Sequence, residues 1–401
     1  MVTERTRGMP GGTEALRNPF EFGRELRPDE LVDRRSEIDT IRRVVENRGK
    51  LFLVGPRRFG KTCVLAAAEH ELAREGAVVL RYDAEAFETV TALAQAAVAA
   101  AAKKLTSTLE KGAEALRQLL RGLRPEIAYD PVTQSFSVGL GPRPAKTEIP
   151  ALTDVLDGIE RLAAESGRTT AVFIDEFQQV VLEGGVTAER QIRAAIQKHA
   201  HVAYVFAGSK TRFLDAMTGK AGRPFWRMGS RLHLGPVPRE EFLAFLDRGF
   251  RSLQRSAERS ALERILALAE DVPYNVQRLA HECWERLRVQ PTAQLASAFV
   301  DEALETVVRA EYPAYARIWV SLTRAQKVAL KAAIEERGRG LTAGAVLRRY
   351  GLGSSTMQKA LRALEARDLL RLDQEGVERA WRLEDPFLAA WLRLAQTASA
   401  P

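Results

Sequence analysis

The clearest chemical signal in the sequence is a glycine-rich segment that ends in lysine and threonine. It reads GPRRFGKTC at residues 55–63 and follows the apolar run LFLV at residues 51–54. The spacing G-x-x-x-x-G-K-T is typical of a loop whose backbone N–H groups surround phosphate oxygens, because glycines allow backbone angles that a Cβ blocks. The candidate phosphate-binding residues are Gly55, Pro56, Arg57, Arg58, Phe59, Gly60, Lys61, Thr62 and Cys63.

Two side chains of this loop have specific tasks in such a site. Lys61 is expected to reach the β- and γ-phosphates of a nucleotide and to assist catalysis, and the Thr62 hydroxyl is expected to bind Mg²⁺. The helix that starts near Lys61 adds the positive end of its dipole. A glycine-rich turn that matches by chance is the alternative. The order strand, loop and helix argues against it.

A second motif, TAVFIDEFQQV at residues 170–180, places two carboxylates after another apolar strand. In ATPases with a phosphate-binding loop, Asp175 would hold Mg²⁺ and Glu176 would polarise the attacking water. The alternative is a solvated strand end, but this strand follows the first motif at a separation that suits one sheet. A further strand, residues 202–207, leads to Ser209, which is placed to sense the γ-phosphate.

The composition limits the classes of protein to which the chain can belong. The chain has 401 residues, enough for about two or three domains. Its hydrophobic content of 46% and charged content of 28% are those of an ordinary globular chain. The first twenty residues contain no apolar signal segment, and residues 90–102 are too short to span a bilayer, so a cytoplasmic protein without membrane contact is expected. Two cysteines and five histidines without metal spacing argue against a disulfide or structural metal site.

The order of elements predicts a chain in four parts. Residues 1–19 are expected to be a disordered lead-in, and residues 20–235 an α/β core that contains an inserted β-hairpin at residues 125–144. Residues 236–320 follow helical periodicity throughout and predict a helical lid. Residues 321–401 form the last part. Helices are expected at residues 35–47, 61–75 and 149–165 of the core, and residues 89–123 are expected to form one or two helices broken near Gly112.

The last part alternates three helical patterns with two short strands. Helices are predicted at residues 323–337, 342–350 and 354–367, the third with Ser354 or Ser355 as its N-cap. Together with a β-wing they predict a winged helix-turn-helix. From residue 321 onward the chain contains 14 Lys and Arg residues but only 9 Asp and Glu residues. The candidate DNA contacts are Ser355, Thr356, Gln358, Lys359 and Arg362 on the third helix and Arg371 and Arg379 on the wing. A protein-contact module is the alternative, because the wing turn at residues 373–375 is acidic.

Several segments together resemble a known family. GPRRFGKT, FIDEFQ, the strand that ends in AGS, VPYNVQRLAHECW and LEDPFLAAWLR are similar to the archaeal-type ATPases, which belong to the STAND and AAA+-related group. The resemblance covers residues 20–394. It implies a three-layer α/β core with a parallel sheet, an α-helical lid and a C-terminal winged helix.

The resemblance also assigns residues outside the two motifs. The segment LVDRRSEI at residues 31–38 would place Arg34 beside the adenine and ribose. Arg227 falls where the family carries an arginine that completes a neighbour's site, although Arg223, Arg231 and an ordinary ion-paired arginine remain alternatives. Tyr274 and Asn275 stand where a lid sensor arginine is usual.

Two functions remain open. The first is a DNA-associated motor or loader ATPase that uses ATP and Mg²⁺ and binds duplex DNA. The net charge of +8 favours the binding of such a polyanion. The second is a STAND-type signalling switch whose winged helix contacts a protein. Self-association is compatible with either function.

Overall fold

A computed structural model describes residues 17–105, 125–130, 135–140, 148–182, 184–290, 294–375 and 378–397. The chain divides into two compact units. The core unit is Glu25–Pro236, and the second unit contains the described residues up to Arg24 and from Val237 onward. Residues 1–16 of the predicted lead-in at residues 1–19 lie outside the described residues, as do residues 106–123 of the predicted helical stretch.

The core unit is built on a parallel sheet. The described strands of this unit are β1 (Lys50–Val54), β2 (Val78–Asp83), β3 (Pro125–Asp130), β4 (Ser135–Leu140), β5 (Thr170–Asp175), β6 (Val202–Gly208) and β7 (Ser230–His233). Five of them form the sheet, in the order β2-β5-β6-β1-β7. Its central strands β5, β6 and β1 are buried on both faces, which explains their unbroken apolar runs.

The register of the strands places the two chemical motifs at one edge of the sheet. Val54 at the end of β1 pairs with Gly208 at the end of β6. Asp175 at the end of β5 pairs with Asp83 at the end of β2. The carboxyl ends of parallel strands are where ligands bind in open α/β sheets.

Helices cover the sheet of the core unit. They are α1 (Arg35–Glu46), α2 (Lys61–Arg74), α3 (Val90–Leu105), α4 (Glu148–Ser166), α5 (Gln178–Leu182), α6 (Gly185–Ile196) and α7 (Thr211–Gly219). The helices expected at residues 35–47, 61–75 and 149–165 are confirmed to within one residue. Strands β3 and β4 form the antiparallel hairpin that the sequence predicted, although its turn at residues 131–134 lies outside the described residues.

The second unit begins with a helical array. Its helices are α8 (Arg239–Arg251), α9 (Arg259–Leu268), α10 (Pro273–Val289), α11 (Ser297–Ala310) and α12 (Tyr312–Ser321). Phe20 packs here, against Phe250 with ring centroids 4.9 Å apart, whereas the sequence assigned residues from 20 onward to the core. A Cβ at Gly249 would lie 2.3 Å from the Phe20 ring, so only glycine accommodates this ring.

The C-terminal part of this unit has the arrangement of a winged helix. Helices α13 (Arg324–Glu335), α14 (Gly344–Tyr350) and α15 (Ser354–Ala366) precede the antiparallel pair β8 (Leu370–Glu375) and β9 (Glu378–Leu383), and α16 (Phe387–Thr397) follows. Thr323 caps α13 as part of a capping box with Gln326. The prediction that Ser354 or Ser355 caps α15 is wrong, because both are already helical and Gly353 is the N-cap.

Candidate functional site

The phosphate-binding loop joins β1 to α2 with the geometry that its glycines require. Gly60 has a φ of 89° and is the N-cap of α2, so that the helix begins at Lys61. A Cβ at Gly55 would lie 2.9 Å from both the Cβ and the carbonyl oxygen of Leu234, which follows β7. Gly60 therefore turns the chain, and Gly55 lets the loop start close to the neighbouring strand.

The two predicted magnesium ligands are in contact. The Thr62 hydroxyl donates a hydrogen bond of 2.6 Å to Oδ2 of Asp175, although 113 residues separate them in sequence. Asp175 is only 3% exposed. Burial raises the pKa of its carboxyl, and the hydrogen bond from Thr62 opposes this shift. A cation at this point would relieve the desolvation that raises the pKa.

The Thr62 hydroxyl and the Asp175 carboxylate suit Mg²⁺ better than a metal ion that protein side chains alone coordinate. The described residues contain no cluster of three or more His, Cys, Asp or Glu side chains that could form such a cage. Mg²⁺ is generally held by one or two carboxylates or hydroxyls together with substrate phosphates and water. Thr62 and Asp175 supply hard oxygen ligands of this kind.

Lys61 lies within the same site. Its side chain is 5% exposed. Its Nζ donates a 3.0 Å hydrogen bond to the Pro56 carbonyl and lies 3.9 Å from Oε1 of Glu176. The lysine thus curls back over its own loop. A phosphate that enters the loop would offer it an anionic partner instead of a carbonyl.

Glu176 is held by groups from two other elements. Its Oε2 accepts a 2.7 Å hydrogen bond from the Ser209 hydroxyl and a 3.3 Å hydrogen bond from the Ser209 backbone. The Gln178 side chain at the start of α5 donates to the same oxygen. The sequence predicted Ser209 at this site but missed Gln178, which is fully buried. The feature of the sequence that could have identified Gln178 is its position, two residues after Glu176 and directly after the apolar Phe177.

Gln178 also explains the glycine at the end of β6. A Cβ at Gly208 would lie 2.1 Å from Gln178 Oε1, so the side chain occupies the space that a larger residue would need. Gln178 is therefore fixed by packing as well as by its hydrogen bonds to Glu176 and Ser209. Such packing orients the Glu176 carboxylate in the site.

Three loop-associated side chains contact protein groups. Arg34 is 6% exposed, and its guanidinium binds Glu37 and the carbonyls of Phe59 and Gly235. These bonds tie Arg34 to the phosphate loop, and its place beside the adenine and ribose stays a prediction. Arg57 pairs with Glu85 at 3.2 Å, and Cys63 accepts a weak hydrogen bond from the Leu26 backbone.

The three arginines considered for a neighbour's site differ in their surroundings. Arg223 binds the fully buried Glu189 through two nitrogens, which removes it from the candidates. Arg227 is exposed, and its guanidinium lies 4.6 Å from the centre of the Trp226 ring. Arg231 is exposed on the edge strand β7. Arg227 and Arg231 thus both stay candidates, and Arg227 is the position that the family resemblance indicates.

In the second unit, the start of α10 carries the residues predicted to replace a lid sensor. Asn275 is fully buried, and neither polar atom of its side chain has a hydrogen-bond partner among the described residues. Arg278 forms a 2.6 Å ion pair with Glu311. Arg278 is therefore ion-paired within its own unit.

The candidate DNA contacts of α15 are exposed, and its buried residues are a different set. The buried residues are Met357, Ala360, Leu361 and Leu364. The exposed residues include the predicted set Ser355, Thr356, Gln358, Lys359 and Arg362. Arg379 on β9 is exposed as well. This distribution suits a helix whose outer face meets a partner.

Arg371 on β8 departs from this pattern. Its side chain is 11% exposed, and its Nε binds both carboxylate oxygens of Asp373 at about 3.0 Å. A second nitrogen donates to the Leu383 carbonyl at 2.8 Å. The guanidinium thus joins β8 to β9 inside the wing, and the predicted phosphate contact would require Arg371 to exchange these partners.

Comparisons with known proteins agree with this architecture. A family model described as a probable winged helix domain matches residues 313–394. A Walker-type ATPase of Pyrococcus abyssi superposes with a TM-score of 0.60 at 16% identity, covering 94% of this chain and 99% of that chain. The Aeropyrum pernix ORC2 protein, in ADPNP–ADP complexes, superposes with a TM-score of 0.55 at 17% identity, covering 96% and 99%. No curated protein matches the sequence.

These likenesses establish the fold. The chain has the fold of Walker-type ATPases related to archaeal ORC proteins, with a helical lid and a C-terminal winged helix, as the sequence predicted. Within the described residues, no helix combines the length and the apolar character that crossing a membrane requires.

Proposed function

We propose that the chain binds Mg-ATP and hydrolyses it, and that its nucleotide state controls a winged helix that contacts duplex DNA. The 2.6 Å contact between Thr62 and Asp175 carries the proposal, because it joins the magnesium ligands of two distant motifs at the mouth of a phosphate-binding loop. The exposed polar face of α15 supports the second half of the proposal.

The phosphates would be bound by the loop backbone, by the start of α2 and by Lys61. Lys61 exchanges the Pro56 carbonyl for an anion, which strengthens its hydrogen bond. Mg²⁺, held by Thr62 and Asp175, would supply charge neutralisation for the β- and γ-phosphate oxygens. Arg34 would keep the loop in place through its bonds to the Phe59 and Gly235 carbonyls, beside the predicted adenine and ribose position.

Glu176 is the group that accepts a proton from the attacking water. Ser209 and Gln178 bind its Oε2, which leaves Oε1 on the side of Lys61 as the oxygen that faces the phosphate site. Fixing one carboxylate oxygen orients the other and lowers the reorganisation needed for general-base catalysis. Ser209 thus acts through Glu176 as well as towards the γ-phosphate.

A STAND-type switch with a protein-binding winged helix remains the second candidate. The internal pairing of Arg371 with Asp373 engages one predicted phosphate ligand. In addition, Tyr312 and Val320 on α12 are 53% and 77% exposed, which is unusual for apolar side chains. Solution mass with ADP and with a non-hydrolysable ATP analogue, with and without duplex DNA, separates a DNA-bound assembly from a closed monomer.

The DNA half of the proposal is tested on the outer face of α15. In the full chain, Lys359→Ala with Arg362→Ala should weaken binding to duplex DNA. The slope of log affinity against log salt should fall by about 0.9 for each phosphate that the variant no longer neutralises. Fluorescence anisotropy over a salt series measures both quantities. The melting temperature should not change, because both side chains are exposed.

A matched control removes two positive charges elsewhere in the same unit. Arg317→Ala with Arg324→Ala changes exposed residues on α12 and α13 and should leave the salt slope unchanged. Equal DNA binding by the wild type and the α15 variant would contradict the proposed interface. A change in ATPase rate without a change in DNA binding would support the protein-contact function.

The role of Arg227 in a neighbour's site predicts complementation. Arg227→Ala and Glu176→Gln should each be inactive alone, but an equal mixture should regain activity at about a quarter of its interfaces if subunits associate at random. Steady-state ATPase assays over a range of protein concentrations measure this, and wild-type specific activity should rise with concentration. Arg231→Ala changes the alternative exposed arginine and should retain wild-type activity if Arg227 has this role. Concentration-independent activity in a monomer would exclude a role in trans.

A further inference from the structure

An arginine-rich cleft lies on the core unit, apart from the phosphate-binding loop. It is formed by α6 and the segment of residues 222–226 that precedes β7, and its volume is about 490 Å³. The side chains that define it are Arg190, Arg193, Gln197, Arg223 and Trp226. These residues belong neither to the two chemical motifs nor to the winged helix.

Two of these arginines fix the walls of the cleft. Arg223 binds the fully buried Glu189 on α6. Arg193 donates to the Pro224 carbonyl and to Gln197, which joins the segment to α6 a second time. The cleft is therefore preformed, and a ligand would not have to order this wall on binding.

The charge of the cleft is only partly balanced. Glu189 neutralises Arg223, but no acidic side chain lines the cleft in the part of the chain that the structure describes. Arg190 is exposed and has no ion-pair or hydrogen-bond partner among the described residues. Two positive charges, those of Arg190 and Arg193, thus remain for a ligand.

An aromatic ring lies at the rim beside these charges. Trp226 is 36% exposed, which is high for the largest apolar side chain. Arg227 stacks over this ring. A partly open indole next to uncompensated guanidinium groups combines the two features that bind unpaired nucleotides, namely a surface for base stacking and donors for phosphate oxygens.

We propose that this cleft binds single-stranded nucleic acid, with a base stacked on the face of Trp226 that Arg227 does not cover and the adjoining phosphate held by Arg190 and by the N–H groups of Arg193 that Gln197 and Pro224 do not engage. Its volume lies within the range of about 300–1,000 Å³ that is typical of small-ligand sites, which is enough for an unstacked nucleotide. An acidic peptide would use the arginines but would leave the indole without a matching group. The site goes beyond the proposed ATPase function and does not depend on it.

The experiment measures binding of fluorescein-labelled 20-mers of oligo-dT and oligo-rU to the full chain without nucleotide. Lys359→Ala with Arg362→Ala forms the background, so that the α15 face does not contribute. Trp226→Ala should weaken binding by about 5- to 150-fold, and Trp226→Phe should retain most of the affinity. Arg190→Ala should reduce the salt slope by about 0.7, the value for one neutralised phosphate of a single strand.

The matched control is Lys198→Ala, which removes an exposed charge near the end of α6 but outside the cleft. It should leave affinity and salt slope unchanged. Comparison of the two oligomers tells whether DNA or RNA is preferred; both would support the site. Oligomer binding that is absent, or unaffected by Arg190→Ala and Trp226→Ala, would overturn the proposal. Displacement of the oligomer by a Glu-rich peptide at lower concentration than by unlabelled oligo-dT would overturn it as well.

Discussion

Glu176→Gln should leave ATP binding intact and lower the rate of hydrolysis by about 10²–10⁴-fold, the usual contribution of a general base. Glutamine keeps the shape of the side chain and can still accept the hydrogen bonds of Ser209, but it cannot take a proton from water. Phosphate release under saturating Mg-ATP measures the rate, and titration with a fluorescent ATP analogue measures binding. The expected result is a lower kcat with little change in affinity.

Two variants sharpen this test. Asp175→Asn should weaken Mg²⁺-dependent binding, because it removes the negative charge beside Thr62. Glu46→Gln, on the exposed side of α1, should change neither quantity. If Glu176→Gln weakened binding to the same extent as Asp175→Asn, Glu176 would be a binding residue and not the base.

Lys61→Ala should abolish the stabilisation of the protein by nucleotide. A ligand at about a hundred times its dissociation constant raises the free energy of unfolding by about 2.7 kcal/mol, so Mg-ATP or Mg-ADP should raise the melting temperature of the wild type. In the variant the phosphates lack the ammonium group that lies over the loop, and most of that rise should disappear. Differential scanning fluorimetry with and without nucleotide measures the effect.

The control for this variant is Lys220→Ala, an exposed lysine of the same unit. It should show the full nucleotide-dependent rise. A wild-type protein whose melting temperature responds to no nucleoside triphosphate would refute the ATPase proposal as a whole. The single-strand cleft would not be affected by that outcome, since its binding is measured without nucleotide.

The phosphate-binding loop and the acidic strand end were predictable because their signals are local. An apolar run, two glycines and Lys61 in a span of about a dozen residues define strand, loop and helix without any distant contact. The same holds for β5 and its carboxylates. The order of helices and strands at the C-terminus likewise predicted the winged helix, because helical and alternating apolar patterns differ over short windows.

The sequence did not show which groups a charged side chain contacts inside the protein. Arg34 and Arg371 both occupy sequence positions where a contact with a negatively charged ligand is expected. In the structure, each contacts carboxylates and carbonyls of its own unit. A buried guanidinium must satisfy its donors, and a neighbouring carboxylate does so without the loss of entropy that binding a ligand entails. No local pattern tells whether such a partner is near.

The sequence by itself determined the elements, the two motifs and the chemistry of their residues, since these depend on spacing along one segment. Only the tertiary structure decided which residues meet: the Thr62 hydroxyl and Asp175 across 113 residues, Gln178 beside Glu176, and Glu189 with Arg223 in preference to Arg227. Such contacts follow from strand order and from the packing of helices on both faces of the sheet. These depend on the burial of many apolar side chains together, so they cannot be read from any single segment.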